Sequence, residues 1–267
     1  MTTTAEPRLE APGPRIVAIE TSGRAGSVAV AAGDRLLGER ELPPAMRHAV
    51  ELMPAIRQLT AAQGWSPAEI QHLYLSLGPG SFTGLRIAVA IARAMAQASA
   101  AKLVGVPSLD VLAENAPPDC RIVLPILDAK RGQVFAARYE RAREGGELQQ
   151  TIPAGLVDPA EFVRHAVSRA IEMAGGDGAR EKLGTLTIGI LGEGVDYHRA
   201  ALFTQDPRGM MLREVDRAHW PGRAATVHRL GYRRALAGAF SDPATLLPLY
   251  IRLPEAEEVY RRKHGLM

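Results

Sequence analysis

Leu77–Arg86 reads LGPGSFTGLR, and this stretch decides the fold. His72–Leu77 (HLYLSL) before it has the alternating apolar pattern of a strand. The glycines and proline break the strand. A helical run to about Ala98 follows. A strand that ends in a glycine loop and opens a helix is the unit of a layered α/β fold. Exposed N–H groups at such a helix start can seat a phosphate. Yet no Lys-Ser/Thr follows the glycines, so this is no Walker A loop. Gly78, Gly80 and Gly84 are spaced G-x-G-x-x-x-G, which is not the dinucleotide fingerprint. Ser81 lacks the flanking glycines of a nucleophile elbow. Two readings stay open: a phosphate seat using Thr21, Ser22, Gly78, Gly80 and Ser81, or a turn whose glycines let helix and strand pack closely.

Upstream, Arg15–Glu20 (RIVAIE), Ser27–Ala32 (SVAVAA) and Arg35–Leu42 predict three strands, with Gly33–Asp34 as a hairpin turn. Met46–Gln63 has apolar residues at helical spacing, with Pro54 expected to kink it and Gly64 to stop it. Downstream come a strand at Leu103–Val106 and a helix capped by Ser108. Pro117–Pro118 marks a boundary. Beyond it, strands are expected at Arg121–Leu127, Gln133–Arg141, Leu148–Leu156 and Leu186–Leu191. Helices are expected from Asp158, as N-cap, to Ala174 and over Thr226–Ala239. Gly175–Lys182 reads as a glycine-rich loop and Leu247–Leu253 as an extended piece. The expected organisation is a tail (1–14), a first α/β lobe (15–117), a second α/β lobe (118–254) and a peripheral tail (255–267). No repeat at 20–50 residue spacing is visible.

The 267 residues carry 32 Lys+Arg against 29 Asp+Glu, a balance that permits a nucleic-acid partner without indicating one. The single cysteine, Cys120, rules out an internal disulfide and points to a reducing compartment. The longest apolar run, Ile87–Ala101, is alanine-rich and broken by Arg93 and Gln97, so no membrane span is expected. Residues 1–14 lack the apolar stretch of a signal peptide, and the expected location is the cytoplasm. None of the seven histidines pairs with another at i, i+3 or i, i+4, so no helix presents a zinc pair. Glu20 and Asp128 end the first strand of each half. They read either as carboxylates flanking a Mg²⁺-nucleotide cleft or as turn formers.

On a helical wheel, Arg86, Arg93 and Gln97 share one narrow stripe and apolar residues cover the rest. A helix with so little polar surface is expected to be buried nearly all round, either sandwiched inside its own fold or, as the small number of layers favours, with one face on its sheet and another on a partner.

AIETS at Ala18–Ser22, GPGSFTGLR at Gly78–Arg86, GVPSLDVLA at Gly105–Ala113, DAKRGQVFAARY at Asp128–Tyr139 and PLYIRLPEAE at Pro248–Glu257 occur in that order. Together they resemble the TsaB family, which takes part in making N6-threonylcarbamoyladenosine (t6A) at position 37 of tRNAs reading ANN codons. The resemblance implies an actin-like (hsp70-like) ATPase fold with two related α/β lobes, the second reduced. It implies a non-catalytic dimerisation subunit with no catalytic or metal residues of its own and no cofactor in the isolated subunit, while nucleotide contacts of the first lobe stay open. Its partners would be the TsaD ligase and the TsaE ATPase; these would bind ATP and Mg²⁺, and tRNA would be touched only indirectly or weakly. In the family, the ligase holds a metal through a histidine pair on its first helix, where this chain offers only His48. The family usually carries Asp where this chain has Glu20. The implied heterodimer uses the first two helices. Helical phase nominates Val50, Met53, Ile56 and Arg57 on the first, and Thr83, Ile87, Ile91 and Met95 on the second. The same helices can pair with a second copy when the ligase is absent. The alternatives are a free-standing actin-fold ATPase, for which Asp128 and Gly192-Glu193-Gly194 are the candidate contacts, or a glycoprotease-type peptidase.

Overall fold

The computed structural model describes residues 13–43, 48–173, 187–206 and 211–252, with Tyr260, Lys263 and His264. The first sheet holds β1 (Arg15–Glu20), β2 (Gly26–Ala32), β3 (Arg35–Leu42), β4 (His72–Gly78) and β5 (Lys102–Pro107). Its order is β3-β2-β1-β4-β5. The first three strands form an antiparallel meander, and β4 and β5 join in parallel. Side chains alternate across the pleat and fill two separate cores. Val17, Ile19, Val28 and Val30 face α1 (His48–Ala62) and α2 (Phe82–Ser99). Ile16, Ala18, Ala29 and Ala31 face the other way, toward α3 (Ser108–Glu114) and a helix from the far end of the chain.

The second sheet holds β6 (Ile122–Asp128), β7 (Val134–Arg141), β8 (Leu148–Val157), β9 (Ile188–Leu191) and β10 (Leu212–Glu214). Its order, β10-β9-β6-β7-β8, is the first sheet's order again: a meander, then parallel strands beside the first. The fold is therefore mixed α/β with two related lobes, as the resemblance implies. The second lobe is the slighter, since β9 and β10 have four and three residues. Helices α4 (Pro159–Met173) and α5 (Gly194–Phe203) pack on this sheet, and α3 lies between the two sheets.

Most predicted elements appear within a few residues of their expected bounds. Asp158 does cap α4, accepting the Glu161 N–H at 3.0 Å. Four readings change. Ser108 is not a cap but the first residue of α3; its hydroxyl is buried and accepts the Gly78 N–H at 3.0 Å. Helix α5 and strand β10 arise where no element was expected. The last helix, α6, spans Ala224–Leu236, and Leu247–Arg252 continues without strand pairing. Finally, α6 lies beyond the expected boundary at 118 yet packs on the first sheet. The loop expected at 175–182, the tail 1–12 and most of 255–267 lie outside the described residues.

Helix α6 has no capping side chain of its own. The first lobe supplies the caps. Ser27 Oγ accepts the Ala224 N–H at 2.7 Å and Glu39 Oε1 accepts the Ala225 N–H at 3.0 Å. These bonds satisfy donors that a helix start otherwise leaves open.

Candidate functional site

The glycine loop between β4 and α2 packs directly on the end of β1. A Cβ on Gly80 would lie 2.3 Å from Ser22 O, and one on Gly84 would lie 2.1 Å from Thr21 O. The Ser81 N–H donates to Ser22 O at 2.6 Å. Ser81 Oγ accepts the Gly84 N–H at 3.3 Å, and Thr21 Oγ1 donates to Gly84 O at 3.0 Å. Both Thr21 and Ser22 are buried. The Ser81 and Gly84 N–H groups and the Thr21 hydroxyl are therefore bound to the chain itself. Of the two readings of this loop, close helix–strand packing is the one the contacts support.

Glu20 lies beneath that loop and is fully buried. Its Oε1 accepts the Ser22 N–H at 2.6 Å, while Oε2 has no hydrogen-bond partner. Gly222 closes over it, a Cβ there falling 2.8 Å from the Glu20 carboxyl carbon. Burial pushes the carboxyl above the ordinary glutamate range, although the hydrogen bonds from Ser22 and Ser76 oppose this. The segment before Gly222 is held by Asn115, which donates to Pro221 O at 2.7 Å.

Asp128 occupies the matching place in the second lobe. Burial raises its carboxyl, but hydrogen bonds from Lys130 Nζ (2.5 Å), the Lys130 N–H (3.0 Å) and His198 outweigh burial and hold it below the usual range. Around it Arg24 reaches across from the first lobe. Arg24 hydrogen-bonds Tyr197 and lies 3.8 Å from Glu193. Burial holds the Glu193 carboxyl high, against the pull of Arg24. Both carboxylates nominated as nucleotide-cleft groups are thus engaged or covered by the protein's own groups. Among the described residues, no group of three or more His, Cys, Asp or Glu could hold a metal ion.

The other nominated surface is the outer side of α1 and α2, which contact each other. Val50 is 69% exposed and Met53 38%. Arg57 and Thr83 are exposed, and Ile87, Ile91 and Met95 are half-buried along one edge of α2. Ile56 is a correction. It is 2% exposed and packs in the first-lobe core, because it sits on the same inward stripe as Leu52 and Ala55. Helix α2 itself is not buried all round. Gly84, Leu85, Ala88, Val89, Ala92 and Ala96 face inward, while Ala90, Ala94 and Ala98 are exposed. A wheel counts those alanines as apolar, yet each leaves only a methyl group in solvent.

One group beside this surface escaped the sequence reading. The guanidinium carbon of Arg86 lies 4.0 Å from the Phe82 ring centroid and 6.0 Å from that of Tyr250. Its Nε donates to Tyr250 Oη at 3.0 Å. The signal was present in two of the quoted motifs, GPGSFTGLR and PLYIRLPEAE, but nothing in the sequence says that they touch. Among the described residues, no helix is long and apolar enough to cross a membrane.

Comparison with known proteins bears on the family and the fold. A family model described as TsaD, tRNA N6-adenosine threonylcarbamoyltransferase, matches residues 44–255. The tRNA threonylcarbamoyladenosine biosynthesis protein TsaB of Bacillus subtilis is 33% identical over 242 residues, covering 91% of this chain and 96% of that one. The protein of the same name from Escherichia coli is 34% identical over 133 residues, 49% of this chain and 57% of its own length. In three dimensions, a Pseudomonas aeruginosa protein described as similar to the peptidase YeaZ matches with a TM-score of 0.69. It has 22% identity, and the match covers 90% of this chain and 100% of that one. At that identity, the structural match speaks for the fold alone. With the family model spanning most of the chain and the Bacillus protein aligned along nearly its whole length, the chain belongs to the TsaB family.

Proposed function

We propose that this chain serves t6A biosynthesis as a non-catalytic subunit that binds the TsaD ligase through the outer side of α1 and α2. One observation carries the reading: a large-residue apolar surface, Val50 and Met53 beside Ile87, Ile91 and Met95, lies open on one side of the first lobe. Burying such side chains stabilises an interface by about 25 cal/mol per Å² of apolar area removed from water. The exposed alanines of α2 let a second helix approach closely. Family membership supports the biosynthetic setting. In this reading Val50, Met53, Arg57, Thr83, Ile87, Ile91 and Met95 contact the ligase. The TsaE ATPase acts on the pair, ATP and Mg²⁺ are held by the partner subunits, and the complex works in the cytoplasm.

The test is light scattering after size exclusion, on the chain alone and mixed with TsaD from the same genome, and repeated with Ile91→Glu. A one-to-one complex that the substitution abolishes is the expected result. Wild-type chain that ignores TsaD would sink the reading, and ATP turnover by the isolated chain would then be measured.

A further inference from the structure

Residues 241–252 return to the first lobe as a strap along the flank of α2 that faces away from α1. Ser241 bridges to Leu103 at the outer edge of β5. Arg93 Nη2 donates to Ala244 O at 3.0 Å, Leu246 is buried in the α2 core, and the Leu249 N–H donates to Leu77 O at 2.7 Å. The strap therefore runs antiparallel to α2 and ends where Tyr250 meets Arg86. Leu247 and Leu249 remain 65% and 44% exposed. Helix α2, with its exposed alanines, thus lies between α1 on one side and this strap on the other.

We propose that the strap is the second wall of the partner-binding surface, and that Arg86, held between Phe82 and Tyr250, receives a carboxylate from a partner of different sequence. The inference rests on the partner-binding reading above and sharpens it. Arg86 is exposed, and no carboxylate pairs with it among the described residues. The two rings and the Tyr250 hydroxyl fix the plane of the guanidinium, so little side-chain freedom is lost when its Nη groups are engaged. Such a fork matches a carboxylate with two parallel hydrogen bonds. Arginine set among aromatic rings is also the composition of interface hot spots.

Charge argues against a second copy as the occupant. Across α1, α2 and the strap, the only acidic residues are Glu51 and Asp242. Glu51 lies 3.7 Å from Arg40. Asp242 accepts the Ala244 N–H at 2.8 Å and is bonded by Thr245. On this face, a second copy would offer no unengaged carboxylate among the described residues and would bring its own Arg57 and Arg86. A different chain with an acidic residue on its docking helix fits both the groove and the charge, and the mismatch disfavours self-pairing.

The experiment titrates TsaD from the same genome into the full chain and into its Arg86→Gln, Tyr250→Phe, Leu249→Ala and Ile91→Glu variants. Calorimetry gives Kd, sedimentation velocity gives self-association, and thermal melts report folding. Arg86→Gln is expected to raise Kd at least tenfold, to flatten its salt dependence and to leave self-association unchanged. Tyr250→Phe, which keeps the ring and loses the hydroxyl, should raise Kd about threefold, and Leu249→Ala about fivefold. If Ile91→Glu abolishes binding while Arg86→Gln stays within twofold of wild type, this inference falls and the partner-face reading stands. If Arg86→Gln loosens self-association as much as it loosens the TsaD complex, the preference for a different chain is overturned. If wild type does not bind TsaD at all, both readings fail.

Discussion

Gly80 has room for a hydrogen and nothing larger, because the obstacle is the Ser22 backbone rather than a movable side chain. Its φ of +152° adds a conformation that L side chains rarely adopt. Gly80→Ala should lower unfolding free energy by about 2–5 kcal/mol, read as a shift of the urea midpoint. Glu20 makes a different prediction. Its folded carboxyl ionises at higher pH than in the unfolded chain, so the protonated form favours the fold. Stability from this group is fully present below pH 4.5 and is lost as pH rises toward the folded value. Glu20→Gln cannot ionise. Denaturation curves at a series of pH values should therefore show the variant gaining on wild type from pH 4 to pH 8. A constant difference across that range would contradict the assignment.

At the scale of elements, α1 separates a core role from a surface role on neighbouring turns. Ile56→Ala should cost about 2–5 kcal/mol, because it opens a cavity in the first-lobe core. Val50→Glu should change stability by less than about 0.5 kcal/mol while weakening the complex with TsaD. A Val50→Glu variant that binds normally would remove α1 from the interface. The same scale shows what the sequence could and could not reveal. Strands β1 to β3 were legible because short apolar runs rich in β-branched residues and a Gly33–Asp34 turn are local signals. Helix α2 was located correctly, but its exposure was misread, since exposed and buried alanines look alike on a wheel. Helix α5 was missed because Gly192-Glu193-Gly194 reads as a loop and the helix that starts at Gly194 is only ten residues long. The start of α6 was misplaced because its caps, Ser27 and Glu39, stand almost two hundred residues away. The filled glycine loop and the Arg86 stack are of the same kind: the residues were visible, their contacts were not.

The whole molecule is one sheet plan used twice, and that doubling escaped a search for short repeats. The unit is the distance from Arg15 to Ile122, and what repeats is strand order rather than residue identity. The two lobes are nevertheless not independent. Helix α6 and the strap cross back from the second half, and Tyr139 of β7 donates to Asp110 of α3 at 2.6 Å between the lobes. Residues 13–118 expressed alone should not melt cooperatively, since Ile16, Ala18, Ala29 and Ala31 would lose their main cover. Joining residues 220–252 to that fragment through a flexible linker should restore a cooperative melt by circular dichroism. A fragment that already melts cooperatively without the addition would refute the account. The return of α6 also sets a clock on synthesis. Strand β5 ends at Pro107 and α6 begins at Ala224. At about 5–20 residues per second, a ribosome spends roughly 6–23 s between the two. Throughout that interval the side of the nascent first sheet that α6 later covers has only α3 against it, an exposed apolar surface of the kind that chaperones hold.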